Sequence, residues 1–218
     1  MTVIAHRCGP HAGAAENSVD AARRSLELGA DFVELDIRYS RDGVPVVAHD
    51  PDLPANPQPF SAFTAAGVGP LLVDFKAGDE RVGYFIATLA AARYLDRVVF
   101  GVRSRAALDA ARRLHPRLGT LAFMEAPADA CPFLDAGADI IRLWESWADA
   151  RAVEAVHAAG RAVWVMMGSP TADRVGLAAR TDLERVVAFG VDGVLLDDVA
   201  LGVEVARGGA SRAPGSRP

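Results

Sequence analysis

The sequence predicts an α/β protein built as one (β/α)8 barrel. Apolar runs and helix-like segments alternate from one end of the chain to the other, the rhythm of repeated βα units. The runs supply eight strands and about seven helices within 218 residues, a size that suits a single barrel. Apolar residues make up 51% of the chain, enough for a sizeable core, yet no stretch is long enough to cross a bilayer.

The elements follow in order. The first strand covers 2–6. Asn17, with Asp20 three residues on, reads as the N-cap of the first helix, and Gly29 stops it. The second strand covers 31–39. After the Asp42-Gly43 turn an extended stretch at 44–49 carries His49 back towards it. Residues 50–70 hold Pro51, Pro54, Pro57 and Pro59 and at most a short helix near 61–66, so the second βα unit is shortened. Strand three covers 71–76 and its helix 79–94. Strand four covers 97–100, with a helix at 104–115. Strand five covers 118–124, followed by a short helix ending near Gly137. Strand six covers 139–143, and its helix at 148–159 is stopped by Gly160. Strand seven covers 162–167, and a helix at 182–189 leads to Gly190. Strand eight covers 194–197, with a closing helix to 206. Residues 207–218, rich in Arg, Gly, Ser and Pro, read as a disordered tail behind a single domain of 1–206.

Composition narrows the function classes. The net charge of -5 and the lack of a basic stripe argue against nucleic-acid binding. No basic n-region precedes the apolar run at Thr2, and no amphipathic membrane helix is evident, so stable membrane insertion is not expected. Cys8 and Cys131 have no metal-ligand spacing, and disulfides are not expected; a reducing, cytoplasmic setting follows. Nothing in the sequence sets the oligomeric state.

The chemistry centres on Val33-Glu34-Leu35-Asp36-Ile37. Alternation of this kind usually marks a half-exposed strand, but parallel barrel strands are covered on both sides. Glu34 and Asp36 then share a protected face, where ionised carboxylates need a balancing positive charge. A hard divalent ion such as Mg²⁺ or Ca²⁺ supplies it with oxygen-loving coordination. In strand three, Asp74 and Lys76 share a face in the same way. The chain has 22 arginines and one lysine, Lys76, so a compact ammonium is singled out there, or one lysine survives by chance. Barrel chemistry sits at the carboxyl ends of the strands, and those ends carry His6-Arg7, Glu34, Asp36, His49, Asp74, Lys76 and Trp164.

Each residue also has a plainer reading. A lone histidine at a strand end is more often a packing residue than a catalyst; two beside an acidic triad reverse that. Arg7 pairs with Glu16 or holds ligand. Lys76 neutralises Asp74 or holds ligand. Trp164 packs the core or lines the site. Trp144 and Trp147, just past strand six, pack under a loop or form a cation-π wall for a choline-like alcohol. His11, His115 and His157 fall in loops or helices and carry no signal.

His6-Arg7, Glu16-Asn17, Glu34-Leu35-Asp36, Asp42-Gly43 and His49-Asp50, in this order and spacing, resemble the signature of the glycerophosphodiester phosphodiesterase family. Asp74-x-Lys76, Trp164 and Gly190-Val191-Asp192-Gly193 extend the likeness over most of the chain. The resemblance implies a TIM barrel that hydrolyses glycerophosphodiesters to sn-glycerol 3-phosphate and an alcohol with a divalent metal, Mg²⁺ or Ca²⁺. It implies that Glu34 and Asp36 bind the metal with Asp74 as third ligand, that His6 and His49 form the acid/base pair, and that Arg7 and Lys76 hold phosphate. Trp164 falls on the side of substrate.

The chain departs from that family in several places. Cys8 stands where glycine usually follows His-Arg, and Ala15 replaces a common proline. Asp74 replaces a glutamate, as in the related sphingomyelinase D-like phospholipases. The insertion after His-Asp is reduced to the Pro-rich 50–70 segment, and Val165-Met166-Met167 follows the strand-seven Trp. Phospholipase D-like action on lysophospholipids and a non-catalytic phosphate-binding barrel are the competing readings.

Overall fold

The computed structural model describes residues 1–10, 14–170 and 175–208. Its eight parallel strands close into the expected barrel. They are β1 (Thr2–Ala5), β2 (Phe32–Tyr39), β5 (Leu71–Phe75), β6 (Val98–Val102), β7 (Gly119–Phe123), β8 (Ile140–Trp144), β9 (Ala162–Met166) and β10 (Gly193–Leu196). Neighbours pair in chain order, and β1 pairs with both β10 and β2 to close the ring. The β2 edge carries an antiparallel flap of β3 (Pro45–Val47) and β4 (Gln58–Pro59). The shortened second unit takes this form: the chain folds back along β2 before reaching the six-residue helix α2 (Phe60–Ala65).

The remaining helices are α1 (Val19–Glu27), α3 (Val82–Ala91), α4 (Arg105–Leu114), α5 (Ala130–Asp135), α6 (Ala150–Ala158), α7 (Arg180–Ala188) and α8 (Val199–Gly208). Side-chain caps start three of them: Ser18, Ser104 and Asp149 accept from the backbone N–H three residues on. The expected cap at Asn17 is thus moved one residue along. Asn17 sits at φ +54°, a conformation asparagine tolerates, and its side chain is used elsewhere. The closing helix runs to Gly208, past the boundary expected at 206, and the rest of the predicted tail lies outside the described residues, as does His11. No helix among the described residues is long and apolar enough to cross a membrane.

Two apolar layers hold the barrel. Outside the strands, Phe60, Phe63, Phe85 and Phe100 are fully buried beneath the helices, with Phe85 centred 5.1 Å from Phe60 and 5.5 Å from Phe75. Burying one such ring is worth roughly 1.5–3 kcal/mol. Inside the cylinder, Ile4, Leu72, Leu121, Ile140, Trp164 and Leu195 fill the lower layers. Above that plug the strand ends turn polar, and the site begins there.

Candidate active site

Register brings the acidic residues together. Asp36 of β2 pairs directly with Asp74 of β5, and Glu34 lies one inward position below on β2. All three are buried, and one oxygen from each lies within 4.8 Å of the others. Burial, followed by the charges of Asp36 and Asp74, pushes the Glu34 carboxyl well above its ordinary value, although the Arg7 N–H donates to its Oε2 at 2.7 Å. A buried carboxylate cluster of this kind fits a hard divalent cation by donor type and spacing.

The cations around the cluster are mostly spoken for. Lys76 Nζ lies 3.1 Å from Asp36 and 2.8 Å from Asp74, so the neutralising reading of Lys76 describes its contacts. Arg103, which the sequence reading passed over, grips Asp74 with two donors at 3.0 and 2.6 Å. Burial works against ionising Asp74, but Lys76 and Arg103 outweigh it and hold its carboxyl at about 2. The same carboxylates keep Lys76 and Arg103 above their ordinary values despite burial. Arg7 pairs with Glu16 at 3.2 Å, and its Nε lies 3.9 Å from Asp36. Asn17 completes the shell by donating to Asp36 Oδ2 at 2.9 Å.

Both histidines have one ring nitrogen engaged by a carboxylate. His6 Nδ1 lies 2.8 Å from Asp197 Oδ1, and His49 Nδ1 lies 2.7 Å from Asp50 Oδ1. The settings differ. The His6–Asp197 pair is mostly buried, whereas His49 and especially Asp50 are open to solvent. Gly176, at φ +81°, lets the chain pass close over the first pair; a methyl group there would sit 2.6 Å from His6 Nδ1. Arg38 Nε donates to the His49 carbonyl at 2.9 Å and anchors the flap that presents it.

A cavity of about 530 Å³ joins these groups, with His6, Glu34, Asp36, His49, Asp74 and Lys76 all on its wall. Arg103, Arg142, Phe123, Trp144 and Met166 also line it. Trp164 is not among the lining residues. It lies two positions short of Met166 on the inward face of β9 and packs on Phe32 at 5.4 Å, in contact with the lower plug. Trp147 packs among the outer helices. Trp144 does reach the cavity, but the Arg142 guanidinium already covers it at 4.4 Å, so an external cation finds that face taken. Arg103, Arg142 and Asp197 went unread for identifiable reasons. The expected strand four ended at 100, three residues before Arg103, and 22 arginines give no single one prominence.

Comparison with known proteins is consistent with this site. Residues 6–58 match the Glycerophosphoryl diester phosphodiesterase family. A glycerophosphodiester phosphodiesterase from Caldanaerobacter subterraneus is 40% identical over 90 residues, covering 40% of this chain and 37% of its own length. Glycerophosphodiester phosphodiesterase 1 from Rattus norvegicus is 50% identical over 50 residues, 23% of this chain and 15% of its own. The aligned stretch thus spans well under half of either curated relative. Among solved structures, a putative glycerophosphoryl diester phosphodiesterase from Silicibacter pomeroyi superposes with a TM-score of 0.79 at 18% identity, covering 95% of this chain and 93% of that one. An Oleispira antarctica phosphodiesterase, solved with the product sn-glycerol-3-phosphate, gives 0.75 at 19% identity over 95% and 97% of the two chains. At those identities the structures speak for the fold, and the family motifs sit in the first quarter of the sequence. The chain is accordingly similar to the glycerophosphodiester phosphodiesterases over residues 6–58, and its barrel is similar in fold to solved structures that bear that name.

Proposed function

We propose that this protein hydrolyses glycerophosphodiesters to sn-glycerol 3-phosphate and an alcohol, using a divalent metal and the His6/His49 pair. One observation carries the reading: two imidazoles, each with Nδ1 on a carboxylate, share a cavity wall with three clustered buried carboxylates. The product bound in the Oleispira structure matches the chemistry proposed.

Glu34, Asp36 and Asp74 would hold the metal. When bound, a divalent ion there polarises a phosphoryl oxygen and offsets the charge that develops on it, whether it is Mg²⁺ or Ca²⁺. The carboxylates at Nδ1 fix the tautomer of each histidine and leave Nε2 to exchange protons with the reactants. One imidazole takes a proton from the attacking oxygen as its bond to phosphorus forms. The other gives a proton to the alcohol oxygen as its bond to phosphorus breaks. Each transfer is typically worth ~10²–10⁴-fold. The attacking oxygen belongs to water, or to a neighbouring substrate hydroxyl with a cyclic phosphate formed first. Lys76 and Arg7 keep the pocket positive towards the phosphate while holding the carboxylates in place.

A second reading, action on lysophospholipids, has one observation in its favour. A further cavity of about 530 Å³, lined in part by Val47, Ala48, Pro54 and Pro57, adjoins the first at His49 and gives room for a longer substituent. Purified, metal-stripped protein assayed against glycerophosphocholine, glycerophosphoethanolamine and lysophosphatidylcholine, with Mg²⁺ or Ca²⁺ restored, decides between them. Release of glycerol 3-phosphate only after metal addition is expected; turnover of none of the three would sink both readings.

A further inference from the structure

Arg142 is the odd cation of the cavity. It lies on the inward face of β8, between the register partners Phe123 and Trp164, and only 3% of it is exposed. Arg7, Lys76 and Arg103 all lean on carboxylates. The Arg142 side chain has no hydrogen bond or ion pair among the described residues, and its Nε and Nη1 are both buried without a partner. Its surroundings are aromatic: the guanidinium lies 4.4 Å from the Trp144 ring and 5.3 Å from the Phe123 ring. Gly101 lets the Phe123 ring occupy its place, since a side chain there would run into it.

A planar guanidinium held between two aromatic rings is fixed in orientation before any ligand arrives. Buried donors without acceptors are costly, and an apolar side chain of the same size would fill this volume without that cost. The arrangement makes sense when an anion completes it.

From this the geometry points to Arg142 as a substrate-binding residue whose free N–H groups receive the phosphoryl oxygens of the substrate and of the glycerol 3-phosphate product. The assignment deepens the proposed function and rests on it for the identity of the anion. Arg142 is suited to the task because its charge is uncommitted, whereas Lys76 and Arg103 must leave Asp74 to do the same. Burial also pulls the guanidinium down to about 10, in keeping with a charge that lacks a partner on the protein. The Trp144 face then serves to orient the protein's own cation.

Calorimetric titration of the full chain with sn-glycerol 3-phosphate, and separately with inorganic phosphate, tests this in wild type, Arg142→Met, Arg142→Gln and Arg142→Lys. Loss of a charge-assisted contact should weaken both ligands by about 10- to 100-fold in the Met and Gln variants, with Lys restoring part of the loss. KM for a glycerophosphodiester should rise in parallel. Two uncharged variants guard against one failing to fold, and removal of an unpaired buried charge should leave thermal stability equal or higher. Wild-type affinity for both ligands in folded Arg142→Met or Arg142→Gln overturns the assignment. Wild-type protein that binds phosphate through Arg142 but hydrolyses no glycerophosphodiester would instead retire the proposed reaction and leave the anion site standing.

Discussion

Asp36 and Asp74 face each other as register partners on adjacent parallel strands, and the Lys76 ammonium lies within 3.1 Å of both. Two like charges at such a position are tolerable because Lys76, two residues past Asp74, and Arg103 are placed against them. Glu34 has no such guardian among the described residues; the Arg7 backbone N–H donates to it. The cluster is therefore under-neutralised at one corner.

Metal addition should relieve that corner. At 100 times its dissociation constant a ligand stabilises a folded protein by about 2.7 kcal/mol. Thermal melting of metal-stripped protein should thus rise by a few degrees with Mg²⁺ or Ca²⁺, and Glu34→Gln should blunt the rise. An unchanged melting curve with millimolar amounts of both ions would rule out the carboxylate cluster as a metal site.

The two carboxyl groups also give opposite pH dependences in metal-free protein. Asp74 sits at about 2 when folded, against an ordinary 3.8, so it stabilises the fold above 3.8 and that benefit fades as pH falls towards 2. The amount is about 2 kcal/mol. Glu34 is raised, so the folded state holds its proton longer than the unfolded one, and stability drains away as pH climbs above 4.5. Urea titrations across pH should show Asp74→Asn removing the acid-side loss and Glu34→Gln removing the loss on the other side.

On the proposed scheme, removing either imidazole should be costly for rate and cheap for fold. His6→Ala and His49→Ala are each expected to reduce turnover by about 10²–10⁴-fold. Asp197→Asn should cost more than Asp50→Asn, because the His6–Asp197 pair is mostly buried and Asp50 is largely exposed. Steady-state rates with circular dichroism as a folding control decide this, and near-normal turnover in either alanine variant removes the paired-histidine scheme.

Gly176 offers an indirect way to the same pair. An alanine there meets both a positive φ and the His6–Asp197 contact, so Gly176→Ala should lower kcat sharply while costing about 1 kcal/mol in stability. Wild-type kcat in this variant would mean that the close passage over the pair is incidental.

Trp144→Ala should slow choline and ethanolamine esters by the same factor, because Arg142 covers the ring face that a quaternary ammonium needs. A loss confined to the choline ester, measured side by side, would show the ring open to an external cation after all.

The legible parts of this site are those written in short-range pattern. Glu34-Leu35-Asp36 betrays itself because a two-faced strand is out of place in a parallel barrel, and Asp74-Phe75-Lys76 repeats the signal on the neighbouring strand of the ring. Trp164 shows the limit of the pattern. Alternation places it on the inward face, but depth along the cylinder depends on how the strands are staggered, and that put Met166 at the rim. Asn17 was readable as a helix-capping type, and the structure uses its amide on Asp36 while Ser18 caps. Arg142 had a faint signature, a charged residue amid Ile140, Ile141 and Leu143, but inward direction alone does not tell a paired cation from an unpaired one. Asp197 could not be seen from His6 at all.

That distance along the chain has a temporal side. His6 and the carboxylate that orients it are separated by 191 positions, and they meet only when β10 docks beside β1. A ribosome-bound fragment holding the first five barrel strands would own the acidic cluster, Lys76 and both imidazoles, yet His6 would swing unanchored. Turnover would then act as a late reporter of translation and ring closure, silent until nearly all of the barrel has been made and fitted.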